Sequence, residues 1–261
     1  MHTIRNYIMA ESLEQAWELN QKGRNNIIIG GNLWLKMGRR NIINAIDLSS
    51  LGLDKIEEDE GGFRIGCMAT LHDIETHEGL NKEFQNLFKE AVRHIVGVQF
   101  RNCATIGGSI FPKLGFSDVL TAFLACDTQV ILYKKGEVPL REFIYIPTDN
   151  DILTHLYVKK DGRTTAYESF RMTETDFPTI TCAMAKTQDG FETVLGARPK
   201  HAEVVVDEVV ADAFSSEEVA DYAKRVIGKL QYGSNIRGSE QYRKQLSKVL
   251  IGRCISRLTE E

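Results

Sequence analysis

The first 54 residues show one helical period followed by two short apolar runs. Apolar side chains recur at helical spacing between Ser12, a suitable N-cap, and Gly23, which would end the helix. A β-branched run over residues 26–29 then ends in the pair Gly30-Gly31, and a second apolar run covers residues 42–48. This order predicts a βαβ-like opening.

The middle of the chain alternates short strands with helical segments. An acidic turn at residues 57–62 separates two predicted strands, and Thr70 is placed to cap a helix. Helical periodicity over residues 83–96 predicts one continuous helix. Further strands are predicted at residues 129–133 and 151–158.

The pattern changes near residue 163, after the turn-forming pair Asp161-Gly162. Two or three strands and then two amphipathic helices are predicted beyond it, at residues 165–170, 180–187, 191–195, 216–230 and 239–258. We therefore predict an α+β fold with a first domain over residues 1–162, in subdomains of about 1–54 and 55–162, and a second over 163–261.

Composition limits the class of protein. The 261 residues are 43% hydrophobic and carry a net charge of −4, without a basic block that could neutralise phosphates, so we expect no nucleic-acid partner. No apolar stretch approaches the roughly 20 residues of a membrane span, and the first residues lack the apolar core of a signal peptide. We therefore expect a cytoplasmic protein without membrane contact.

The spacing of cysteines and histidines argues against a metal site. The five cysteines lie far apart, which is typical of reduced core thiols and unlike the local ligand motifs of iron–sulfur clusters. His72 and His77 are too far apart in sequence to share one face of a helix as metal-binding pairs do. If this chain transfers electrons, an organic cofactor must carry them.

Two glycine pairs are candidates for binding an anion. Gly30-Gly31 and Gly107-Gly108 each follow a β-type run, and bare backbone amides there could approach a pyrophosphate. Neither pair belongs to a G-x-G-x-x-G dinucleotide motif or to a P-loop. Since a glycine pair after a strand is usually an ordinary turn, the surrounding sequence has to decide.

The surroundings of the second pair resemble a known family. Arg101-Asn-x-x-Thr-Ile-Gly-Gly-x-Ile, followed by Ser117-Asp118, is similar to the FAD-binding domain of xanthine dehydrogenase and carbon monoxide dehydrogenase flavoproteins. The first pair, in Ile28-Ile-Gly-Gly-Asn-Leu, lies where that family has Ala-Gly-Gly-Thr-Asp-Leu. Landmarks of the family's C-terminal domain follow in order, so the resemblance covers nearly the whole chain: Tyr167-Glu168, Arg171, Asp176-Phe-Pro, Gly196-Ala-Arg-Pro and Arg237-Gly-Ser-Glu-Gln-Tyr-Arg.

The resemblance implies FAD as the cofactor and a two-part FAD-binding domain of the vanillyl-alcohol oxidase/MurB-like type, followed by a smaller α/β C-terminal domain. Asp118 would accept hydrogen bonds from ribitol or ribose hydroxyls, or alternatively cap the helix after Ser117. The implied cofactor-binding residues are Ile28, Ile29, Gly30, Gly31, Asn32, Leu33, Thr105, Ile106, Gly107, Gly108, Ser109, Ser117, Asp118 and Arg171.

Two departures from the family pattern affect these expectations. Several relatives carry a lysine near the flavin, whereas Arg171 is the only cation in residues 167–172 and could substitute for it. Asn32 and Leu33 replace the usual Thr-Asp, so the first loop must rely more on its backbone. Leu33 and Trp34 could pack on the flavin ring, although ordinary core packing is favoured for large apolar side chains.

The family role implies an electron-transfer subunit. A molybdopterin-binding subunit would hydroxylate the organic substrate, a [2Fe–2S] iron–sulfur subunit would conduct the electrons, and this chain would deliver them to NAD or another acceptor. No catalytic residue and no metal ligand are assigned, because such a transfer needs no general acid or base. Two alternatives are a single-chain flavin oxidoreductase of the same fold and a flavin-free scaffold or assembly subunit.

Overall fold

A computed structural model describes residues 3–207 and 214–259 of the protein, and its strands form three sheets. The first elements are β1 (Thr3–Met9), α1 (Leu13–Gln21), β2 (Asn26–Ile29) and β3 (Asn41–Asp47). The three strands form a parallel sheet in the order β1-β3-β2, and Ser12 caps α1 as predicted. Strand β1 was not predicted, because large side chains such as Tyr7 and Met9 are exposed on it and give no buried alternating face.

Three asparagine side chains hold this sheet in register. Asn6 Nδ2 donates to Asn44 Oδ1 at 3.0 Å, and Asn44 Nδ2 donates to Asn26 Oδ1 at 2.9 Å. Asn26 Nδ2 in turn donates to the backbone carbonyl of Leu19 in α1 at 2.6 Å. The row of amides crosses all three strands, so it fixes the place where β2 ends and Gly30 begins the next loop.

The second sheet is antiparallel and contains β4 (Ile56–Glu58), β5 (Gly62–Gly66), β6 (Thr128–Leu132), β7 (Gly136–Pro139) and β8 (Leu153–Lys159). Its strand order is β4-β5-β8-β6-β7. The strands predicted around the acidic turn and at residues 129–133 and 151–158 are thereby confirmed. Strand β7 was predicted as a turn and connection, because proline and a lysine-rich turn obscure its short pattern.

The helices around the second sheet are short. They are α2 (Leu71–Thr76), α3 (Glu78–Glu83), α4 (Leu87–Val92), α5 (Val98–Arg101), α6 (Ile106–Ile110), α7 (Asp118–Leu124) and α8 (Leu140–Phe143). Thr70 and Asp73 form a capping box at the start of α2, which confirms the predicted cap. Every residue of α7 is buried, and this helix packs against both α4 and the third sheet.

The prediction of a single helix over residues 83–96 is wrong, because α3 ends at Glu83 and α4 begins at Leu87. Gln85 and Asn86 adopt left-handed backbone angles, with φ of 46° and 61°, and separate α3 from α4. The buried side chain of Asn81 supports this break, since its Oδ1 accepts from the Lys89 amide at 3.0 Å. Gln85 also reaches the third sheet, where its Oε1 accepts from the Thr165 amide at 2.7 Å. These contacts replace the helical hydrogen bonds that the periodicity alone would predict.

The third sheet is antiparallel and contains β9 (Thr164–Arg171), β10 (Pro178–Thr187), β11 (Gly190–Gly196) and β12 (Glu203–Asp207), in the order β12-β11-β10-β9. Helices α9 (Ser216–Gly228) and α10 (Glu240–Thr259) complete this part, with α10 packed on β9 and β10. The α+β class is confirmed, with β12 as an additional strand. The boundary near residue 163 stays a prediction, and the change of sheet between β8 and β9 is consistent with it.

Within residues 3–207 and 214–259, no helix is long and apolar enough to cross a membrane. The same part of the chain shows no group of three or more His, Cys, Asp or Glu side chains that could hold a metal ion.

Candidate functional site

The two glycine pairs lie against each other. An added Cβ at Gly30 would come within 2.3 Å of Thr105 Oγ1, and one at Gly31 within 1.6 Å of the Cys103 carbonyl oxygen. Real Cβ atoms do not approach backbone oxygens so closely, so the contact requires glycine at Gly31. The structure therefore brings the end of β2 and the start of the second motif to one place, although more than 70 residues separate them.

The first loop offers backbone donors. Within the described chain, the amides of Gly31, Asn32 and Leu33 donate to no recorded hydrogen-bond partner. Asn32 adopts a left-handed backbone conformation with φ of 57°, and its Oδ1 is buried without a partner. A row of free amides beside an unsatisfied polar atom is suited to an oxyanion with neighbouring hydroxyl groups, such as a diphosphate joined to ribose or ribitol.

The second motif differs from its prediction. Gly107-Gly108 follows α5 rather than a strand and lies within the first turn of α6, whose N-cap is Thr105. The Ile106 amide donates to Ala69 O at 2.9 Å, the Gly107 amide to Cys67 O at 2.8 Å, and the Gly108 amide to Thr105 Oγ1 at 3.2 Å. The expectation of bare amides at the second pair is thus wrong, because internal acceptors already occupy these donors.

Glycine at the second pair instead permits close packing. A Cβ at Gly107 would lie 2.9 Å from the Cys67 carbonyl oxygen, and a Cβ at Gly108 would lie 3.1 Å from Thr105 Oγ1. The second motif therefore supports the first loop, and its polar groups nearest the site are the hydroxyls of Thr105 and Ser109. Ser109 lines the cavity described below and donates to Thr105 O at 3.0 Å.

Ser117 and Asp118 begin the buried helix α7. Ser117 is the N-cap, with its Oγ accepting from the Leu120 amide at 3.0 Å, so the alternative in which Asp118 caps the helix is wrong. Asp118 is the first helical residue, and its Oδ1 accepts from Tyr167 Oη at 2.6 Å and from an Arg171 guanidinium nitrogen at 2.5 Å. All three side chains are enclosed, which makes this ion pair a buried one.

Burial changes the proton affinity of these groups. Burial raises the pKa of Asp118, although the Arg171 guanidinium and the Tyr167 hydroxyl act in the opposite direction. Burial and the Asp118 charge raise the pKa of Tyr167 well above its ordinary value. For Arg171, the Asp118 carboxylate outweighs burial, and the pKa is raised. Arg171 therefore stays protonated beside the Asp118 carboxyl group.

A cavity of about 230 Å³ lies next to this ion pair. Its lining is largely apolar and aromatic, and includes Trp34, Ser109, Phe116, Asp118, Arg171 and Phe177. Arg171 Nε is buried and has no hydrogen-bond partner. An apolar pocket with a few convergent polar groups, one of them an unsatisfied cationic donor, is suited to a flat ring system that carries hydrogen-bond acceptors.

Apart from Gly107 and Gly108, the predicted residues fall into two groups. The structure brings Gly30, Gly31, Asn32, Thr105, Ser109, Ser117, Asp118 and Arg171 together around the loop and the cavity. The side chains of Ile28, Ile29, Leu33 and Ile106 pack instead into the hydrophobic cores, so only their backbone is available to a ligand. The sequence reasoning assigned no role to Phe116, Tyr167 or Phe177, although the motifs that contain them were quoted.

The fold and the site define a protein that binds a dinucleotide with an aromatic ring system. The family described as the FAD binding domain in molybdopterin dehydrogenase matches residues 2–158, and the chain belongs to this family. The chain is an FAD-dependent oxidoreductase subunit, and FAD is its cofactor. The free amides of the first loop and the unsatisfied Asn32 Oδ1 and Arg171 Nε fit this cofactor.

Individual proteins agree with this assignment. The medium chain of glyceraldehyde dehydrogenase from Sulfolobus acidocaldarius is 26% identical over 266 residues, which cover 94% of this chain and 94% of that protein. A carbon monoxide dehydrogenase chain from Hydrogenophaga pseudoflava has the same fold, with a TM-score of 0.87, 21% identity and coverage of 98% and 97%. A chain of quinoline 2-oxidoreductase from Pseudomonas putida 86 gives a TM-score of 0.85 at 18% identity, with coverage of 99% and 97%.

Proposed function

We propose that this chain passes electrons between an iron–sulfur subunit and NAD or another acceptor, within a complex whose molybdopterin-binding subunit oxidises the organic substrate. The observation that carries the proposal is the junction of the free-amide loop at Gly31 with the apolar cavity beside Arg171. FAD can take up electrons one at a time and give up two together as a hydride, which suits a relay from a one-electron cluster to a two-electron acceptor.

The residues of this chain bind and orient the cofactor. The amides of Gly31, Asn32 and Leu33 are the donors for the diphosphate, and Thr105 and Ser109 contribute hydroxyls beside it. Asp118 remains our choice of acceptor for ribitol or ribose hydroxyls. No side chain of the site is needed as a general acid or base.

Arg171 supplies the positive charge of the site. Its partner Asp118 compensates that charge in the absence of the cofactor, and its unpaired Nε is a donor for an oxygen or nitrogen of the flavin ring. A cation close to the ring favours the reduced, anionic flavin. We propose that Arg171 has this role in place of the lysine found in several relatives.

The cofactor proposal is tested by Gly31→Ala. The added methyl group would meet the Cys103 carbonyl oxygen, so the loop must shift and its amides lose their positions. We expect the purified variant to lose most of the visible flavin absorbance seen in the wild type. Gly228→Ala is the matched control, because nothing lies within 4 Å of a Cβ at Gly228. Wild-type protein that is colourless and takes up no added FAD would contradict the proposal and favour a scaffold.

The partner proposal needs a separate experiment. The chain is to be co-expressed with candidate iron–sulfur and molybdopterin proteins encoded beside it, and purified through a tag on this chain. We expect the three proteins to elute together and the flavin to be reduced by the reduced cluster, which is followed in the visible spectrum. Elution of this chain alone as an active flavoprotein would favour the single-chain oxidoreductase.

A further inference from the structure

Four aromatic rings line the cavity, those of Trp34, Phe100, Phe116 and Phe177, and the Trp34 ring centroid lies 5.7 Å from that of Phe100. The ring centroid of Trp34 lies 5.3 Å from that of Phe116 and 5.4 Å from that of Phe177, and the two phenylalanine rings are 4.4 Å apart. Trp34 directly follows the free amides of Gly31 to Leu33, so one short loop carries both diphosphate donors and a large aromatic ring.

The cavity is small for a cofactor site. Its volume is about 230 Å³, whereas pockets for drug-sized and cofactor ligands span roughly 300–1,000 Å³. Displacement of one aromatic side chain of the wall would enlarge the space for the flavin ring, because these side chains are the bulkiest groups in the wall.

Phe177 is held in place. Its amide donates to Asp176 Oδ1 at 2.7 Å, Asp176 pairs with Arg237 at 3.0 Å, and the Arg237 guanidinium lies over the Phe177 ring at 4.8 Å. Pro178 follows directly and begins β10. The Phe177 side of the cavity is thus tied to the third sheet.

The backbone of the segment that carries Trp34 is held by local hydrogen bonds alone. The backbone hydrogen bonds recorded for residues 32–38 join residues of that segment to one another, from Lys36 to Asn32, from Met37 to Trp34 and from Gly38 to Leu35. Met37, beside it in the cavity wall, is 71% exposed. A segment with local hydrogen bonds and exposed side chains is among those that open most easily.

Trp34 also differs from its neighbour Leu33. Leu33 packs against the main hydrophobic core, whereas Trp34 packs against the phenylalanine rings of the cavity wall. Ordinary core packing therefore accounts for Leu33. Trp34 is a partly buried indole in the wall of the cavity.

We infer that Trp34 leaves the Phe116–Phe177 pair when FAD binds and then packs its indole against the isoalloxazine ring. This inference rests on the proposed function, since it assumes that the cavity receives the flavin ring. Trp34 acts as a gate in the free chain and as a ring contact in the loaded chain. Aromatic faces attract each other when stacked with an offset, so the indole gains on the flavin what it gives up on the phenylalanines.

The test uses the emission of bound flavin. An indole in contact with an excited flavin transfers one electron to it and takes that electron back, which quenches the emission, whereas a phenylalanine ring does not. Trp34→Phe keeps an aromatic ring at the position but removes this quenching. Trp17→Phe is the matched control, because Trp17 is the other of the two tryptophans and packs on the main core.

We expect bound FAD in Trp34→Phe to fluoresce severalfold more strongly than in the wild type and in Trp17→Phe. We also expect Trp34→Ala to bind FAD about tenfold more weakly, which corresponds to about 1.4 kcal/mol, with Trp34→Phe between the two. Bound-flavin emission that is the same in Trp34→Phe and the wild type would overturn the ring contact. Failure of the wild type to bind FAD would instead refute the proposed function.

Discussion

The Asp118 carboxylate has its partners within the chain, so its ion pair forms without a cofactor. Its ion pair with Arg171 has exposed side-chain fractions of 5% and 7%, and Tyr167 adds a second donor to the same oxygen. Burying two charges costs free energy because both lose their hydration. Removing only one partner costs more, because the other charge is then buried without compensation. Asp118 therefore holds α7 and β9 together as well as facing the cavity.

Removing one partner tests how much the Asp118–Arg171 ion pair contributes to the stability of the fold. Asp118→Leu leaves the Arg171 guanidinium buried without a counter-charge, so we expect the free energy of unfolding to fall by about 3–5 kcal/mol. Urea denaturation measures this loss. The double variant Asp118→Leu/Arg171→Met removes both charges and should recover most of the stability while its flavin content stays low. A double variant as unstable as the single one would contradict this explanation.

Single residues show what the sequence can reveal about the site. Gly31 and Thr105 were found because a motif and its spacing are local properties. The engagement of the Gly107 amide was missed, because Gly107 donates to Cys67, 40 positions earlier in the chain. Arg171 Nε likewise lacks a hydrogen-bond partner because of tertiary packing, which a local sequence pattern does not predict.

Helices α2 and α5 hold the second motif in position. Arg101 at the end of α5 donates from Nε and a terminal nitrogen to both oxygens of Glu75 in α2, at 2.8 and 3.0 Å. The Leu71 amide donates to Ala104 O at 2.9 Å, which ties the start of α2 to the motif. Such a bidentate pair fixes the orientation of the two helices.

The Arg101–Glu75 pair predicts an acid-sensitive part of the stability. Burial raises the pKa of Glu75, but the hydrogen bonds and charge of Arg101, together with His72, outweigh it, so the pKa lies below the ordinary 4.5. A carboxyl whose folded pKa is lowered stabilises the fold above its unfolded pKa, and this stabilisation is lost as the pH falls through the folded value.

Arg101→Met should shrink or reverse this acid dependence, because burial then raises the pKa of Glu75 with only His72 acting against it. Urea denaturation of the wild type and the variant at pH values on both sides of 4.5 checks the difference. Arg93→Met is the control, since its pair with Glu90 is more exposed, at 48% and 25%. Equal acid dependence in Arg101→Met and the wild type would refute this role.

Helices and strands were predicted well where the pattern that defines them lies within their own residues. Helix α1 has a cap and an amphipathic stripe, and β6 and β8 have alternating apolar positions, so their sequence is sufficient. The break between α3 and α4 is different, because Thr165 of β9 supplies part of it. Its Oγ1 donates to Phe84 O at 2.6 Å across 81 positions of the chain. No pattern within residues 83–96 contains that partner.

At the scale of the whole molecule, Arg243 joins distant parts of the third-sheet region. This side chain of α10 is 1% exposed and donates to the carbonyls of Thr179 and Ala197 and to the Asn235 side chain. Burial and the nearby Arg237 lower the pKa of Arg243. Because Thr179 comes two residues after Phe177, the buried Arg243 guanidinium also supports the side of the cavity that Phe177 forms.

Arg243→Leu should therefore affect both stability and cofactor binding. Each buried carbonyl left without a donor costs about 1–3 kcal/mol, so we expect a lower free energy of unfolding in urea. We also expect a weaker affinity for FAD, measured by titration of the apoprotein, because the Phe177 wall loses its support. An unchanged FAD affinity in a destabilised variant would show that the wall does not depend on Arg243.

The asparagine row of the first sheet has a consequence for how faithfully the site is built. A strand that slips by one residue moves its side chains about 3.3 Å and turns them to the opposite face. Such a slip of β2 would break the Asn44–Asn26 hydrogen bond and carry Gly30 and Gly31 away from Thr105 and Cys103. A misaligned β2 is thus destabilised by the loss of asparagine hydrogen bonds. The correct register, and with it the position of the loop at Gly30 and Gly31, is selected before FAD binds.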